Sequence, residues 1–394
     1  MFSKTLPNQR PEDLPDYLTI GDVDVEGLNV LVRSDLNVPL SGGVVVDDFR
    51  IRAALPTLVD LVRKGAVVSV CSHLGRPKGH DLRLSLEPVA THMSALTEFE
   101  VGFEQGGQIT VLENTRFLAG ETTNDPETAQ WLAEGVDIFV QDAFGSVHRA
   151  HASTVGVAER VESIAGLLLD AELKALGRFV DDPDRPYTVV LGGAKVSDKL
   201  AVIENLLPKV DRMLIGGAMC FTFLVARGLE VGESLVQDDM VDAVRGLLKG
   251  PHGRKLILPV DIATGSRFSE DAERRVVAAS DIPEGSVGLD IGPETGAGFW
   301  GLINSSASVF WNGPMGVFEW ENFRNGTEQV ARALAACDGF TAVGGGDSAA
   351  ALRLLDLDGS VSHLSTGGGA GLLLLADRVL PGVAVLERWC NERA

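Results

Sequence analysis

The stretch YTVVLGGAKVSDKL, Tyr187 to Leu200, contains the features that decide the fold of this chain. Its aromatic, β-branched and apolar start predicts a buried strand, and the two glycines predict a tight turn into a helix. The turn lacks the pattern GxxxxGK[ST], so Lys195 and Lys199 fit either a phosphate cradle or an ordinary turn with solvated lysines. If Ser197 caps the helix, Lys199 lies in its first turn, where a cation is unfavourable unless an anion binds there.

The composition is that of a folded protein with an acidic surface. The 394 residues are 45% hydrophobic and 23% charged, and the formal net charge is −21. This balance argues against broad binding of nucleic acid or anionic membranes, which requires a basic surface. The start of the chain lacks the apolar core of a signal peptide, and no apolar stretch approaches the roughly 20 residues that span a bilayer. The four cysteines lie far apart in sequence, as expected for thiols in the cytoplasm.

The same alternation of strand and helix patterns continues over most of the chain. It predicts parallel sheets covered by helices on both faces, and about ten strands suggest two such sheets. We read residues 163–180 as a connecting helix and the charged DDPDRP after it as a domain boundary. The domains would then be residues 1–180 and 186–379. The predicted strands are LNVLV, AVVSV, ITVL, VDIFV, YTVVL, RMLI, KLILPV, SVFW, FTAV and VSHL.

Basic and polar side chains follow all four predicted strands of the first half. Ligands of open parallel sheets bind beyond the carboxyl ends of the strands. Arginine forks suit carboxylate and phosphate oxygens, so the set predicts an anion pocket. Any single arginine could instead pair with Asp35, Glu113 or Asp142. The side chains concerned are Arg33, Asp35, Asn37, His73, Arg76, Asn114, Arg116, His148, Arg149 and His151.

Glycine-rich turns follow the predicted strands of the second half. Backbone amides at the starts of the helices behind them would suit nucleotide phosphates, although glycines also simply make tight turns. Asp347 is the carboxylate that could hold a Mg²⁺ ion together with phosphate. The turns read GGAKVSDK, GGAM, WNGPMG, GGGDSAA and STGGGAG.

Eight motifs make the chain resemble the phosphoglycerate kinases. The resemblance implies two Rossmann-like domains joined by a connecting helix and a hinge, with residues from about 380 to 394 packed on the first domain. It also implies a monomer and hinge closure, which keeps water from the acyl phosphate. From about residue 31 onward the motifs are RSDLNVPL, SHLGRP, LENTRF, DAFGSVHRAHAST, LGGAKVSDKL, WNGPMGVFEW, VGGGDSAA and STGGGAG.

The resemblance implies reversible phosphoryl transfer from 1,3-bisphosphoglycerate to MgADP, giving 3-phosphoglycerate and MgATP in glycolysis and gluconeogenesis. The catalytic residues would be Arg50, Lys195 and Gly368, and His148 and His151 would be orienting or structural. The phosphoglycerate site would comprise Asp35, Leu36, Asn37, Arg50, His73, Leu74, Gly75, Arg76, Arg116 and Arg149. The nucleotide site would comprise Lys199, Gly288, Asn312, Glu319, Gly345, Gly346, Asp347 and Ser348, with Mg²⁺ on Asp347.

Two other classes of function fit parts of the sequence. Residues 344–349, GGGDSA, match the loose dinucleotide-binding form GxGxxA, which would indicate a nicotinamide-dependent oxidoreductase. That fingerprint needs an acid after the next strand, where Ser365 stands, and the basic set would be unexplained. A non-catalytic nucleotide-binding descendant of the kinases should have lost charged contacts, yet every position carried over holds a compatible residue. The sequence therefore favours the kinase.

Overall fold

The computed structural model describes residues 16–180 and 182–393, which fall into two compact units. The first unit comprises residues 16–177 and 378–393, and the second comprises the described residues between 178 and 377. Each has its own sheet and hydrophobic core. The predicted α/β class with two largely parallel sheets is confirmed.

A seven-stranded sheet forms the centre of the first unit. Its strands and those of a small hairpin are β1 (Asn29–Arg33), β2 (Leu40–Ser41), β3 (Val44–Val45), β4 (Val67–Cys71), β5 (Val101–Phe103), β6 (Gln105–Gly107), β7 (Ile109–Val111), β8 (Ile138–Gln141) and β9 (Glu162–Ala165). The helices up to residue 177 are α1 (Phe49–Arg63), α2 (Glu87–Ser94), α3 (Pro126–Ala133) and α4 (Leu167–Gly177). The strand order is β6-β5-β7-β4-β1-β8-β9, parallel except for the β5–β6 pair. Strands β2 and β3 form the hairpin.

Strand β1 is buried on both faces, which explains its continuous apolar sequence. Val30 and Val32 belong to one core cluster, together with Ile51 of α1. Leu31, which points to the opposite face, belongs to a second cluster with Phe139 of β8. Helices therefore cover both faces of this sheet, and its ligand-accessible positions are the strand ends.

The segment that we predicted as a helix over residues 163–180 is partly a strand. Glu162–Ala165 forms β9, which pairs in parallel with β8 from Ile138↔Glu162 to Gln141↔Ala165. The helix α4 begins only after Gly166 and ends at Gly177. The prediction was wrong at its start because a short apolar run directly before a helix has no periodicity that distinguishes a strand from a helix. Pairing with β8 makes this segment a strand.

The second unit contains a six-stranded parallel sheet and a smaller antiparallel one. Its strands are β10 (Tyr187–Leu191), β11 (Arg212–Ile215), β12 (Leu256–Ile257), β13 (Asp261–Gly265), β14 (Arg275–Ala278), β15 (Val287–Ile291), β16 (Ser308–Asn312), β17 (Phe340–Gly344) and β18 (His363–Leu364). Its helices are α5 (Leu200–Leu206), α6 (Met219–Ala226), α7 (Val241–Lys249), α8 (Pro293–Asn304), α9 (Asn325–Ala336), α10 (Gly346–Leu354) and α11 (Gly368–Leu375).

The register of the six-stranded sheet brings its glycine-rich turns to one edge. The strand order is β12-β11-β10-β16-β17-β18. Leu191 pairs with both Ile215 and Asn312, and Asn312 pairs with Gly344. The turns after β10, β11, β16 and β17 therefore start side by side. The antiparallel sheet, in the order β14-β13-β15, was not predicted from the sequence.

The helix α12 (Pro381–Arg393) belongs to the first unit, although it follows the second in the chain. The amide of Gly382 donates to the Val147 carbonyl at 2.8 Å, and Trp389 Nε1 donates to the Ala158 carbonyl at 2.6 Å. Arg393 forms an ion pair with Glu162 of β9. Over the described residues, no helix is both long enough and apolar enough to cross a bilayer.

Candidate active site

A basic cavity of about 520 Å³ lies in the first unit, at the carboxyl ends of its central strands. Arg76 follows β4, Arg116 follows β7 and Arg149 follows β8, and all three line the cavity together with His151. Strands β7, β4, β1 and β8 are neighbours in the sheet, which brings side chains separated by more than 70 residues together. Four of the side chains predicted from the sequence, Arg76, Arg116, Arg149 and His151, therefore converge on one cavity.

The guanidinium groups of this cavity are close enough to disfavour one another's charge. The pKa of Arg116 is lowered by burial and then by Arg149 and Arg33. The pKa of Arg149 is lowered by burial and then by Arg76. Arg116 also donates to the Gly75 carbonyl, which fixes its direction. An anion that binds among these guanidinium groups would stabilise their charged forms.

Of the three carboxylates that could have paired with the strand-end arginines, Asp35 pairs instead with Arg50 of α1. Asp35 lies 3.3 Å from Nη1 of Arg50, which also donates to the Asn37 carbonyl at 2.9 Å. Glu113 instead accepts from Ser85 and Leu86. Asp142 accepts from amides at the start of α4, and burial raises its pKa to about 7.

Arg50 lies in the first turn of α1, which places it beside the polar residues that follow β1. The Asn37 side chain accepts from the amide of Gly75 at 2.8 Å and so joins the turns after β1 and β4. The side chains of Leu36 and Leu74 are buried in the core, so these two predicted site residues have only backbone to offer.

Three histidines surround the cavity with different partners. His73 is buried, and its Nδ1 lies 3.2 Å from Nη2 of Arg33. Burial, followed by the charge of Arg33, holds the pKa of His73 well below its usual range. His148 Nε2 accepts from Arg149 Nε at 3.1 Å, and burial lowers its pKa. His151 Nδ1 lies 3.8 Å from Glu121, a buried carboxylate that the sequence did not single out.

In the second unit, the turns at the sheet edge are in direct backbone contact. Gly193 donates to the Pro314 carbonyl at 2.9 Å, and Gly217 has a φ of +64°. A Cβ atom on Gly217 would lie 2.3 Å from the Gly193 nitrogen, and one on Gly368 would lie 2.4 Å from Cα of Gly345. The glycines at these positions are therefore required by close approach, and the five turns form one cluster.

Lys199 lies at this edge, although not where the sequence suggested. It occupies the residue before α5 rather than the first turn of that helix, and Ser197 is not the cap. Its Nζ donates to the carbonyl of Gly192 and, at 3.0 Å, to that of Asn312. These two carbonyls fix the position of the ammonium at the edge of the sheet. Burial lowers the pKa of Lys199 to about 8, against the opposing effect of Asp347.

The turn after β17 is held by side chains of its neighbours. Asn312 Nδ2 donates to the Gly344 carbonyl at 2.8 Å, and the buried Ser348 Oγ accepts from the amide of Gly313 at 2.7 Å. Asp347 is exposed in the first turn of α10, near Lys199. No group of three or more metal-ligating side chains lies within the described parts of the chain. One carboxylate beside bound phosphates is a donor set typical of Mg²⁺, which keeps most of its waters.

Three predicted residues lie apart from these contacts. Gly288 belongs to β15, where a Cβ atom would lie 2.0 Å from the ring of Phe221 in α6. It is thus connected to the site through the helix that follows GGAM. Lys195 and Glu319 are exposed, and in the described residues no hydrogen bond or ion pair links either to the glycine cluster.

Comparisons with known proteins agree over nearly the whole chain. Residues 20–378 match the family model described as phosphoglycerate kinase. The phosphoglycerate kinase of Rubrobacter xylanophilus is 52% identical over 388 residues, covering 94% of this chain and 98% of that protein. That of Salinispora tropica is 52% identical over 387 residues, covering 92% and 97%. The structure of phosphoglycerate kinase from Coxiella burnetii has a TM-score of 0.85 at 38% identity, covering 96% of this chain and 100% of that one.

Proposed function

The chain belongs to the phosphoglycerate kinase family and has that family's activity, and on this premise we propose which residues carry each half of the reaction. The reaction transfers a phosphoryl group reversibly between 1,3-bisphosphoglycerate and MgADP, giving 3-phosphoglycerate and MgATP. The observation that carries the assignment is the convergence of Arg76, Arg116 and Arg149 on one cavity in an otherwise acidic protein.

Phosphoglycerate binds at this cavity in the first unit. Arg76, Arg116 and Arg149 hold its anionic groups through charge-assisted hydrogen bonds, and the bound anion opposes the burial and the mutual repulsion that lower the pKa of the latter two. The Asp35 carboxylate and the Asn37 amide can accept a hydrogen bond from the substrate hydroxyl. The remaining members are Leu36, His73, Leu74 and Gly75.

The nucleotide binds at the glycine cluster of the second unit. Amides at the start of α10, from Gly345 to Ser348, face the phosphates, and Lys199 adds a positive charge. Asp347 would hold the Mg²⁺ ion that binds with the nucleotide, and that ion would neutralise charge on the phosphate oxygens. Gly288, Asn312 and Glu319 complete the site.

The residues near the transferred group act by charge and position. The attacking carboxylate of 3-phosphoglycerate is already ionised at neutral pH, so no general base is needed. Arg50 stabilises the negative charge of the transferring group. Lys195 stays in contact with that group as it moves, and the amide of Gly368 also contacts it.

Closure of the hinge stays a prediction. Scattering with both substrates should show compaction, whereas an unchanged radius of gyration would contradict it.

A coupled assay tests the proposal. Consumption of ATP should depend on both 3-phosphoglycerate and Mg²⁺, and Arg116→Met should reduce it strongly. The matched control is Arg160→Met, because among the described residues Arg160 donates to the carbonyls of Gly156 and Pro126 and does not line the cavity. Folded protein without this activity would refute the assignment, and binding of a nicotinamide cofactor would favour the oxidoreductase. The monomeric state and cytoplasmic location stay predictions, to be tested by light scattering and cell fractionation.

A further inference from the structure

A chain of buried hydrogen bonds runs beneath the basic cavity of the first unit. It consists of Glu121, Ser153, Arg33 and His73, whose exposed fractions are 0%, 0%, 1% and 5%. These residues come from four separate segments, and of the four only His73 belongs to the proposed phosphoglycerate site. A buried arginine, carboxylate and histidine in one connected network constrain one another's protons.

The direction of each hydrogen bond follows from the chemistry of its groups. The Glu121 carboxylate only accepts, and it does so from Ser153 Oγ at 2.6 Å, from the Ser153 amide at 3.0 Å and from Thr115 Oγ1 at 3.2 Å. The hydroxyl proton of Ser153 is thereby used, so Ser153 Oγ accepts from Arg33 Nε at 2.8 Å.

The orientation of Arg33 in turn determines its hydrogen bond with His73. Its Nη1 donates to the Ser34 carbonyl at 2.5 Å, and its Nη2 lies 3.2 Å from His73 Nδ1. A guanidinium has no acceptor, so His73 Nδ1 must present a lone pair. Burial, followed by the charges of the cations Arg33, Arg116, Arg149 and Arg50, keeps the pKa of the ring well below its usual range. The single proton of the neutral ring then lies on Nε2.

We infer that Arg33, held in place by Glu121 and Ser153, is a positioning residue that fixes His73 as the neutral imidazole with its proton on Nε2. His73 then offers phosphoglycerate a hydrogen-bond donor without a charge, while the arginines supply the charge. The inference rests on the proposed function in one respect, namely that His73 contacts this substrate. The assignment of the proton itself does not depend on that contact.

The direct test is ¹⁵N NMR of the histidine side chains in the full-length protein. His73→Gln identifies the His73 signals among those of the seven histidines. Long-range ¹H–¹⁵N correlations should show a protonated Nε2 and an unprotonated Nδ1 throughout the range from about pH 5 to 8. A protonated Nδ1, or an imidazolium at neutral pH, would overturn the inference.

Variants of Arg33 test whether this residue fixes the proton. In Arg33→Met, Nδ1 loses its donor and the ring loses one neighbouring cation, so both tautomers should appear and the pKa of His73 should rise. Ser153→Ala is the milder change, because it keeps the guanidinium and removes the acceptor that orients Arg33 together with one donor to Glu121, and it should move the signals in the same direction. The control is Arg63→Met, since Arg63 is exposed and pairs with Glu98. Unchanged His73 signals in both Arg33→Met and Ser153→Ala would contradict the positioning role.

Kinetic measurements distinguish the proposed contact between His73 and phosphoglycerate from the inference that Arg33 fixes the proton of His73. A glutamine amide can place an N–H near the position of Nε2, whereas an asparagine amide lies near Nδ1. His73→Gln should therefore keep the KM for 3-phosphoglycerate within about threefold, and His73→Asn should raise it about tenfold. If neither variant changes KM, His73 is not a substrate ligand and that part of the proposed function fails. If KM responds but NMR shows a protonated Nδ1, only the inference about Arg33 fails.

Discussion

Replacing Gly368 with alanine tests the glycine cluster at a single atom. A Cβ atom there would lie 2.4 Å from both Cα and N of Gly345, whereas real Cβ atoms essentially never approach closer than 3.0 Å. The two backbones must therefore separate by at least about 0.6 Å. Neither atom belongs to a flexible side chain, so the shift falls on the turn that begins α10.

The expected magnitude follows from that displacement. Overpacking of this kind costs about 1–3 kcal/mol of unfolding free energy. A misplacement approaching 1 Å costs catalysis up to about 100-fold, so kcat should fall between about 10-fold and 100-fold. The chain offers a matched control in Gly369, the next residue of α11, where a Cβ atom would meet nothing within 4 Å. Gly369→Ala should keep its activity and gain up to about 1 kcal/mol from helix propensity.

The assay combines urea unfolding with the coupled kinase assay on both variants. Gly368→Ala should show the lower unfolding midpoint and the lower kcat. If the two variants have the same kcat and the same midpoint, the backbone contact between Gly368 and Gly345 does not govern the site.

The remaining predictions concern charge and packing. Arg50→Ala should lower kcat far more than it raises the KM for 3-phosphoglycerate, as expected of a transition-state contact; a higher KM at unchanged kcat would make Arg50 only a binding residue. Because burial lowers the pKa of Lys199 to about 8, the free enzyme loses this charge as pH rises through 8, and the KM for ATP should then rise up to about tenfold per pH unit. Lys199→Met should abolish that rise, and its persistence would point to another group. Trp389→Phe leaves the Ala158 carbonyl without its indole donor. It should lower the free energy of unfolding by about 1 kcal/mol, measured by thermal unfolding. The exposed Trp131, changed to Phe in the same way, should show no loss, and equal losses would contradict the reasoning.

The strands of the two parallel sheets were predictable where an apolar run in the sequence lies in a strand that is buried on both faces. The ten predicted runs overlap observed strands because strands buried on both faces read as continuous apolar segments. β9 was taken for helix because no polar residue interrupts the passage from Ser163 to Leu169. The antiparallel sheet was not predicted because polar and glycine residues interrupt β13 (DIATG) and β15 (VGLDI), and β14 offers only the short, mostly exposed run VVA.

The candidate site was predictable in its residues more than in its connections. Strand ends pointed to the arginines, since ligands bind at that edge of a parallel sheet. The position of Lys199 depended on where α5 begins, which the Ser197 signal placed too early. Glu121 and Ser153 carry no sequence signal, because their roles arise only when separate segments meet around Arg33.

The return of α12 to the first unit also sets an order of events during protein synthesis. Every residue of the second unit leaves the ribosome before α12 does, so the first unit has to wait for its last element. Until then the indole partner at Ala158 and the arginine partner at Glu162 are missing, and β9 lacks the helix that packs beside it. A chaperone that shields an incomplete sheet edge would have its longest opportunity in that interval.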